Sequence, residues 1–506
     1  MKLIYKLLIL AVVGLLLPSW LTAQRTVSGT ITDAESGEPL IGASVIVTGT
    51  AKGTISDLDG KYSIEVSEEN STITISYTGY AAIEQAIGNA SILDIQLNPG
   101  EVLDEVVVIG YGTVKKEDAT GSVQSVTSEK FNKGAITSPQ ELLAGKVAGV
   151  SISTNSGAPG DGAKIRIRGE SSLSANNDPL IVIDGVPLAG GDVAGGRNPL
   201  NLINPNDIES FTVLKDASAS AIYGNRASGG VIIITTKKGA VGNKLKIGYA
   251  GNVSIGVIDE KVSTLSAREF SSLIRERFDP THPAVLALGT EETDWQDEIY
   301  QTAIGHDHNL NLSGAAGAFP YRVSLGFTER EGLLKTDNFQ RFTGSINLNP
   351  SFLDNRLQFN IGAKAVQIDN HFADRGAIGN ALSFDPTKPV LDSESPFGGF
   401  YTWTQADGNP NVLATTNPLA LLELRADDSE VSRFIGNFQV DYRFSFLPAL
   451  RANLNLAYDR SDSEGTVFVP ENAAFQFFNG GEDRNYTEEK ENTLAEFYLN
   501  LSLIHI

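Results

Sequence analysis

From Lys244 onward the chain alternates apolar and polar residues with a period of two, in stretches too long and too frequent for an ordinary soluble sheet. In Tyr321-Arg-Val-Ser-Leu-Gly-Phe-Thr328 the odd positions are apolar and the even ones polar or Gly. The pattern returns in Phe342 to Asn349, Leu357 to Lys364, Phe434 to Phe444, Leu454 to Asp459 and Phe497 to Ser502. Successive side chains of a strand point to opposite faces, so each ribbon has one greasy and one wet side. Many such ribbons, with no helical pattern between them and Tyr or Phe on the greasy side, predict antiparallel strands of a transmembrane β-barrel. Tyr321, Val323, Leu325 and Phe327 are then expected to face lipid. Arg322, Ser324 and Thr328 face the lumen, and likewise Asn437, Gln439, Asp441 and Arg443. A soluble sandwich or solenoid is the competing reading.

Strands must carry any membrane passage, because after Leu17 no apolar run reaches the roughly 20 residues of a spanning helix. The run from Leu7 to Leu17 follows Lys2 and Lys6, breaks at Pro18 and ends in small residues at Ala23, the layout of a cleavable export signal over residues 1–23. No cysteine occurs in the 506 residues, which excludes disulfides, thiolate metal sites, cysteine nucleophiles and lipid attachment through an amino-terminal cysteine. A net charge of -22 repels phosphate backbones, so nucleic acid is not an expected partner. With 50 Gly and a single Met, the composition favours strands and turns.

Two smaller units precede the ribbons. Thr26 to Thr32, Ala43 to Val47, Tyr62 to Val66, Thr72 to Tyr77 and Ile92 to Leu97 read as strands separated by Ser36-Gly37, Asp59-Gly60 and Thr78-Gly79, which predicts a small β-sandwich over 24–99. Asp57-Leu58-Asp59-Gly60 lacks a first calcium ligand at Ile55, so Asp59-Gly60 is expected to be a hairpin turn. The extended run from Glu101 to Gly112, before the charges Lys115-Lys116-Glu117-Asp118, can add to the edge of a partner's sheet or form one more strand. From Gly121 to Gly239 the pattern is α+β. Ser138-Pro139-Gln140-Glu141 starts a short helix, Asp216 caps a second over Ala217 to Tyr223, and Val150 to Thr154, Lys164 to Arg168, Leu180 to Ile183, Ile208 to Leu214 and Val231 to Thr236 are strands.

Chemistry-bearing motifs are sparse. His-Glu-x-x-His, Gly-x-Ser-x-Gly and the phosphate-binding Gly-x-x-x-x-Gly-Lys are absent, so no catalytic residue and no cofactor is assigned. His306 and His308 share one strand face without an evident third ligand; no metal site is assigned and a rim or loop role is expected. Glu291-Glu292 and Asp427-Asp428 read as solvated loop charges. Gly157-Ala-Pro-Gly-Asp-Gly162 precedes a strand, not a helix, and reads as a turn. Arg166 and Arg168 lie on one side of that strand, where pairing with carboxylates of a surrounding wall competes with substrate contact.

Taken together, these motifs resemble the SusC/RagA family of TonB-linked outer-membrane receptors. Leu103-Asp-Glu-Val-Val-Val-Ile-Gly-Tyr-Gly112 with Lys115-Lys116 is similar to the family's segment holding the TonB box. Leu142 to Val150, Ile165-Arg-Ile-Arg-Gly169, Pro179 to Pro187, Asn204 to Ser210, Val213 to Gly224 and Ala227 to Gly239 follow in the order of its plug motifs. Arg25 to Leu97 is similar to the carboxypeptidase-regulatory-like sandwich that precedes the plug, which has no peptidase site. The resemblance implies a linker over 100–119, a plug over 120–240 and a partial barrel over 244–506. It implies a TonB box at Asp104, Glu105, Val106, Val107, Val108 and Ile109, bound by TonB with its ExbB/ExbD energising complex. It also implies outer-membrane lipid around the strands, a SusD-like surface lipoprotein as cap, and an oligosaccharide or peptide as cargo, whose contact residues the sequence leaves unassigned. The length after Lys244 is short of the about 22 strands of a large plugged barrel, and the last residues, Leu501-Ser-Leu-Ile-His-Ile506, lack an aromatic strand end, so a truncated reading is expected. A secreted β-sandwich adhesin or scaffold is the alternative function, and an exported metallopeptidase a third.

Overall fold

The computed structural model describes residues 25–501 apart from short stretches, the longest being 67–71, 99–105, 116–122, 171–176, 189–192, 217–220 and 240–243. The expected export signal, the Thr78-Gly79 turn, Lys116 to Asp118 and the last five residues therefore lie outside the described residues. The chain divides into two compact units at Val106.

The first unit is two packed sheets. Lys61–Val66, Arg25–Asp33 and Ile95–Leu97 form one, and Gly53–Ile55, Ser44–Val47, Thr72–Ser76 and Ile83–Ala86 the other. Alternation makes the core: Tyr62, Ile64 and Val66 are buried while Lys61, Ser63 and Glu65 are exposed, and Val27, Ile31, Val45, Ile73 and Ile75 complete it. Asp59-Gly60 is a turn, but not the expected hairpin. The Asp57 carboxylate accepts the Asp59 and Lys61 N–H groups at 3.0 and 2.8 Å, and the chain crosses from one sheet to the other there.

The second unit holds a mixed five-stranded sheet in the order Val123–Thr127, Ile208–Leu214, Val231–Thr236, Leu180–Ile183, Val186–Pro187. Phe211, Ile183, Ile208, Ile232 and Ile234 pack on one face, and Val182, Leu214, Val231 and Ile233 on the other. A sheet covered on both faces reads as continuous apolar runs, as Val231-Ile-Ile-Ile234 does. Helix Pro139–Leu143 begins where expected, with Glu141 accepting the Ser138 N–H at 3.1 Å. The helix expected after Asp216 instead appears, from Ala221, as 3-10 turns broken at Gly224.

Around this sheet runs a wall of eight long antiparallel strands, each paired with the next: Lys246–Gly256, Ala303–Ala316, Phe319–Glu331, Asn338–Leu348, Leu357–His371, Ala426–Arg443, Leu450–Val469 and Glu482–Leu501. The wall is open, the first and last strands each having one long neighbour. Its burial is inverted relative to a soluble protein. On Phe319–Glu331, Leu325 is 43% exposed whereas Arg322, Ser324 and Thr328 are 8%, 4% and 5% exposed. Phe342, Ile346, Phe434, Phe438 and Leu456 continue the exposed apolar face, and Lys364, Arg433, Asn437 and Asn455 the buried polar one. Gln439 and Asp441 are half-buried, while Arg443, expected inside, is exposed at the strand end. Several apolar wall side chains also turn inward: Ile435 and Ala457 join the cluster under the five-stranded sheet, and Phe339, Val366, Ile368 and Val431 pack with Leu202.

At one rim the connections are short, 317–318, 349–356 and 444–449. At the other they include 257–302 and 372–425, which carry helices the alternation did not reveal: Ala267–Arg277, Trp295–Ile299, Gly376–Ser383 and Pro418–Glu423. These two connections pack together over Trp295, Ile299, Phe384, Phe400 and Leu422, with the Trp295 indole donating to the Asp385 carbonyl at 3.0 Å.

Candidate functional site

The central unit is seated against the inner wall by polar contacts that come from its turns. Ile183-Asp184-Gly185-Val186 is a two-residue hairpin turn whose central residues both have positive φ, 48° and 87°, the conformation for which Asp-Gly is favoured. That turn aims Asp184 between its own unit and the wall. Its carboxylate accepts the Thr236 N–H and hydroxyl at 2.9 and 2.7 Å and the Lys364 ammonium at 2.5 Å. Burial opposes ionisation of Asp184, but Lys364 and the Thr236 donors outweigh it and hold the carboxyl below its ordinary range.

A second seat is built by Asn204-Pro-Asn-Asp207. Asn204 caps a 3-10 turn through the Asn206 N–H at 3.0 Å and donates to Asn309 of the wall at 2.5 Å. Asp207 meets the Arg322 guanidinium at 3.1 Å, the Ser345 hydroxyl at 3.3 Å and the Ser324 hydroxyl. The wall strand can approach because Gly326 lies opposite: a Cβ there would stand 2.2 Å from the Asn204 amide nitrogen.

The third seat lies at the rim with the long connections. Arg197, buried to 1% side-chain exposure, donates to the Asp337 carboxylate at 2.6 Å, Asn370 at 2.9 Å, and the Asn338 and His371 carbonyls at 3.0 and 2.9 Å. Its guanidinium also lies over the Phe372 ring at 4.5 Å. Burial pushes the Asp337 carboxyl up despite that partner. Beside it the Glu488 carboxylate accepts the Ala194 N–H at 2.6 Å, and Ser429 donates to the Gly195 carbonyl at 2.8 Å.

Other expected residues fall elsewhere. Arg166 and Arg168 do not reach the wall; they pair with Asp178 and Asp216 of their own unit, because the strand that carries them pairs with Val150–Thr154 rather than with the wall. His306 contacts Glu329 at 3.2 Å and His308 the Tyr249 hydroxyl at 2.7 Å, on the outward face, and no cluster of three metal-ligating side chains occurs among the described residues. Glu291 and Glu292 are exposed in a connection, whereas Asp427 and Asp428 lie on the Ala426–Arg443 strand and pair with Arg425 at 2.8 Å and His371 at 2.6 Å. Asp104 and Glu105 lie outside the described residues; Val106–Ile109 is a strand paired only with Gly112–Lys115 among the described residues. The sequence reading missed Arg197, Asp337 and Lys364.

Known proteins match this arrangement. The CarboxypepD_reg-like domain matches residues 27–108 and the TonB-dependent Receptor Plug Domain residues 115–231. TonB-dependent receptor SusC of Bacteroides thetaiotaomicron is 44% identical over 511 residues, covering 98% of this chain and 50% of that protein. The chain belongs to the SusC/RagA family of TonB-dependent receptors. TonB-dependent receptor P26 of Formosa agariphila is 34% identical over 444 residues, 86% of this receptor chain and 43% of the relative. The RagAB peptide transporter shares the fold at a TM-score of 0.59 and 21% identity, over 75% of this chain and 45% of that one. This receptor chain thus spans about half the length of the curated relatives it matches. Its residues 115–231 match the plug domain, and all three seating turns fall within them.

Proposed function

We propose that the full-length receptor is an outer-membrane importer of a bulky nutrient, an oligosaccharide or a peptide, and not an enzyme. The observation that carries this reading is the inverted wall, apolar outside and polar inside, filled by a plug held through hydrogen bonds and ion pairs. Apolar side chains on the outside need lipid, which the adhesin reading does not supply. Polar seats suit a part that must move: their partners can be exchanged for water, whereas a plug sealed by a continuous apolar interface would resist extraction. The plug itself is needed because a wide empty barrel leaks.

In this proposal residues 1–23 direct export, 24–99 form the sandwich, 100–119 the TonB-box linker, 120–240 the plug and 244–506 part of the barrel. Cargo held between the long connections and the plug apex changes the exposure of Asp104 to Ile109 in the periplasm. TonB, driven by ExbB/ExbD, pairs with that segment by strand addition and pulls. A SusD-like lipoprotein caps the outer rim, as the resemblance to the SusC/RagA family implies. Deleting residues 104–109 from the full-length protein is expected to abolish uptake and leave surface binding of cargo intact; uptake continuing at the normal rate contradicts the coupling.

A further inference from the structure

Between strands Phe319–Glu331 and Asn338–Leu348 the chain turns at the outer rim over residues 332–337, and this short turn is bonded both to an outer connection and to the plug. On one side it joins the 257–302 connection: Gln301 donates its N–H to the Leu333 carbonyl, and Lys335 donates its N–H to the Ile299 carbonyl, both at 2.9 Å. Between these bonds Leu334, 8% exposed, packs into the core of the outer connections with Trp295, Ile299, Phe384 and Phe400. On the other side Asp337 accepts the Arg197 guanidinium of the plug at 2.6 Å. There is no slack between the two anchors. The Gly332 N–H donates to the Asp337 carbonyl at 2.7 Å, and a Cβ on Gly332 would stand 2.6 Å from that of Asp337.

Thr336 lies between the anchors at a φ of 68°, and no other β-branched residue among the described residues has a left-handed backbone. The Asp337 N–H reaches back to the Leu334 carbonyl at 3.4 Å, which makes Thr336 the third residue of a β-turn. Positive φ at that position, with Lys335 before it on the ordinary side, has the sign pattern of a type II turn, which calls for Gly or Asn there. A branched Cβ is the least tolerant of this backbone. A residue so placed persists only where its surroundings over-determine it. Here the surroundings are the outer core around Leu334 and the plug's grip on Asp337.

We propose that residues 332–337 form a strained coupling between the outer connections and the plug: when the outer core loosens around Leu334, Thr336 relaxes and the turn draws Asp337 off Arg197. Thr336 is thus a positioning residue that acts on the plug through Asp337. The inference deepens the importer reading and rests on it for its use, since an event at the outer rim then weakens the apex seat before any pull from the periplasm. An element with two arrangements, biased from both ends, is the physical requirement for coupling between distant sites.

The test is amide hydrogen exchange of the apex segment 193–202 in the full-length receptor in bilayers, without cargo or TonB, so that failure here is distinct from failure of uptake. Leu334→Ala loosens the outer core and is expected to speed apex exchange. Adding Thr336→Asn, which accepts the left-handed backbone, removes the strain and should cancel most of that acceleration, a difference of about 5–150-fold for strain of the usual size. Adding Thr336→Val instead keeps the branched Cβ and should leave the acceleration in place. Equal exchange in the native and Leu334→Ala proteins overturns the coupling. An acceleration that survives Thr336→Asn, or that Thr336→Val cancels equally, overturns the role of Thr336. Should Leu334→Ala fail to fold, Thr336→Asn alone decides: apex exchange slower than native supports the proposal, and equal or faster exchange overturns it.

Discussion

Asp184 and Lys364 are 180 positions apart in sequence, and their ion pair is 4% and 6% exposed. A buried pair of this kind adds little over an apolar substitute, but removing one member strands a charge, at a cost of about 3–5 kcal/mol. Lys364→Met in the full-length protein is therefore expected to lower thermal stability by that order, and Lys364→Met with Asp184→Leu to recover most of the loss; equal melting of single and double variants would show the pair to be uncoupled. The carboxyl of Asp184 is held below its free range in the folded state. Its contribution is fully present above the ordinary carboxylate range, about pH 3.9, and is lost as pH falls through the lower folded value. An acid melting series should show this component in the native protein and lack it in Asp184→Asn. At this scale the sequence was half legible: Asp-Gly announced a turn, and nothing in the local pattern announced the lysine that meets it. Arg166 and Arg168 failed in the opposite sense, because the strand that carries them pairs with Val150–Thr154 and they meet Asp178 and Asp216 of the plug.

Alternation revealed each wall strand only where one face is apolar. Leu454 to Asp459 was legible, but the strand runs from Leu450 to Val469, and beyond Tyr458 its outward residues are Arg460, Asp462 and Glu464. With polar groups on both faces a ribbon loses its period-two signature while keeping its ladder of backbone bonds. Among the helices of the long connections, Trp295–Ile299 spans 5 residues, too short for a helical period to register, whereas Ala267–Arg277 spans 11 and opens with a Ser266–Glu269 capping box that the sequence reading passed over. The apolar faces themselves make a sharp expectation. Leu325→Arg should destabilise the folded full-length protein in bilayers by about 2–4 kcal/mol if the side chain lies near the midplane, less toward the interface. Denaturant titration of refolding into lipid vesicles reads this difference, and an unchanged midpoint would deny lipid contact at that position. On the inner face, Gly326→Val would drive its side chain into Asn204, and limited proteolysis should find the plug loosened; protection equal to the native protein would place the clash elsewhere.

For the whole molecule, the account rests on which side of the wall meets lipid. The chain contains no cysteine, so single cysteines carry spin labels without background. Leu325→Cys and Ser324→Cys are adjacent on one strand and point to opposite faces. In the full-length protein reconstituted into bilayers, the label at 325 should collide freely with dissolved oxygen and little with a water-soluble nickel complex, while the label at 324 should be shielded from both by the plug. A label at 325 that meets nickel more readily than oxygen, or is as shielded as the label at 324, would contradict the inverted wall and the importer built on it.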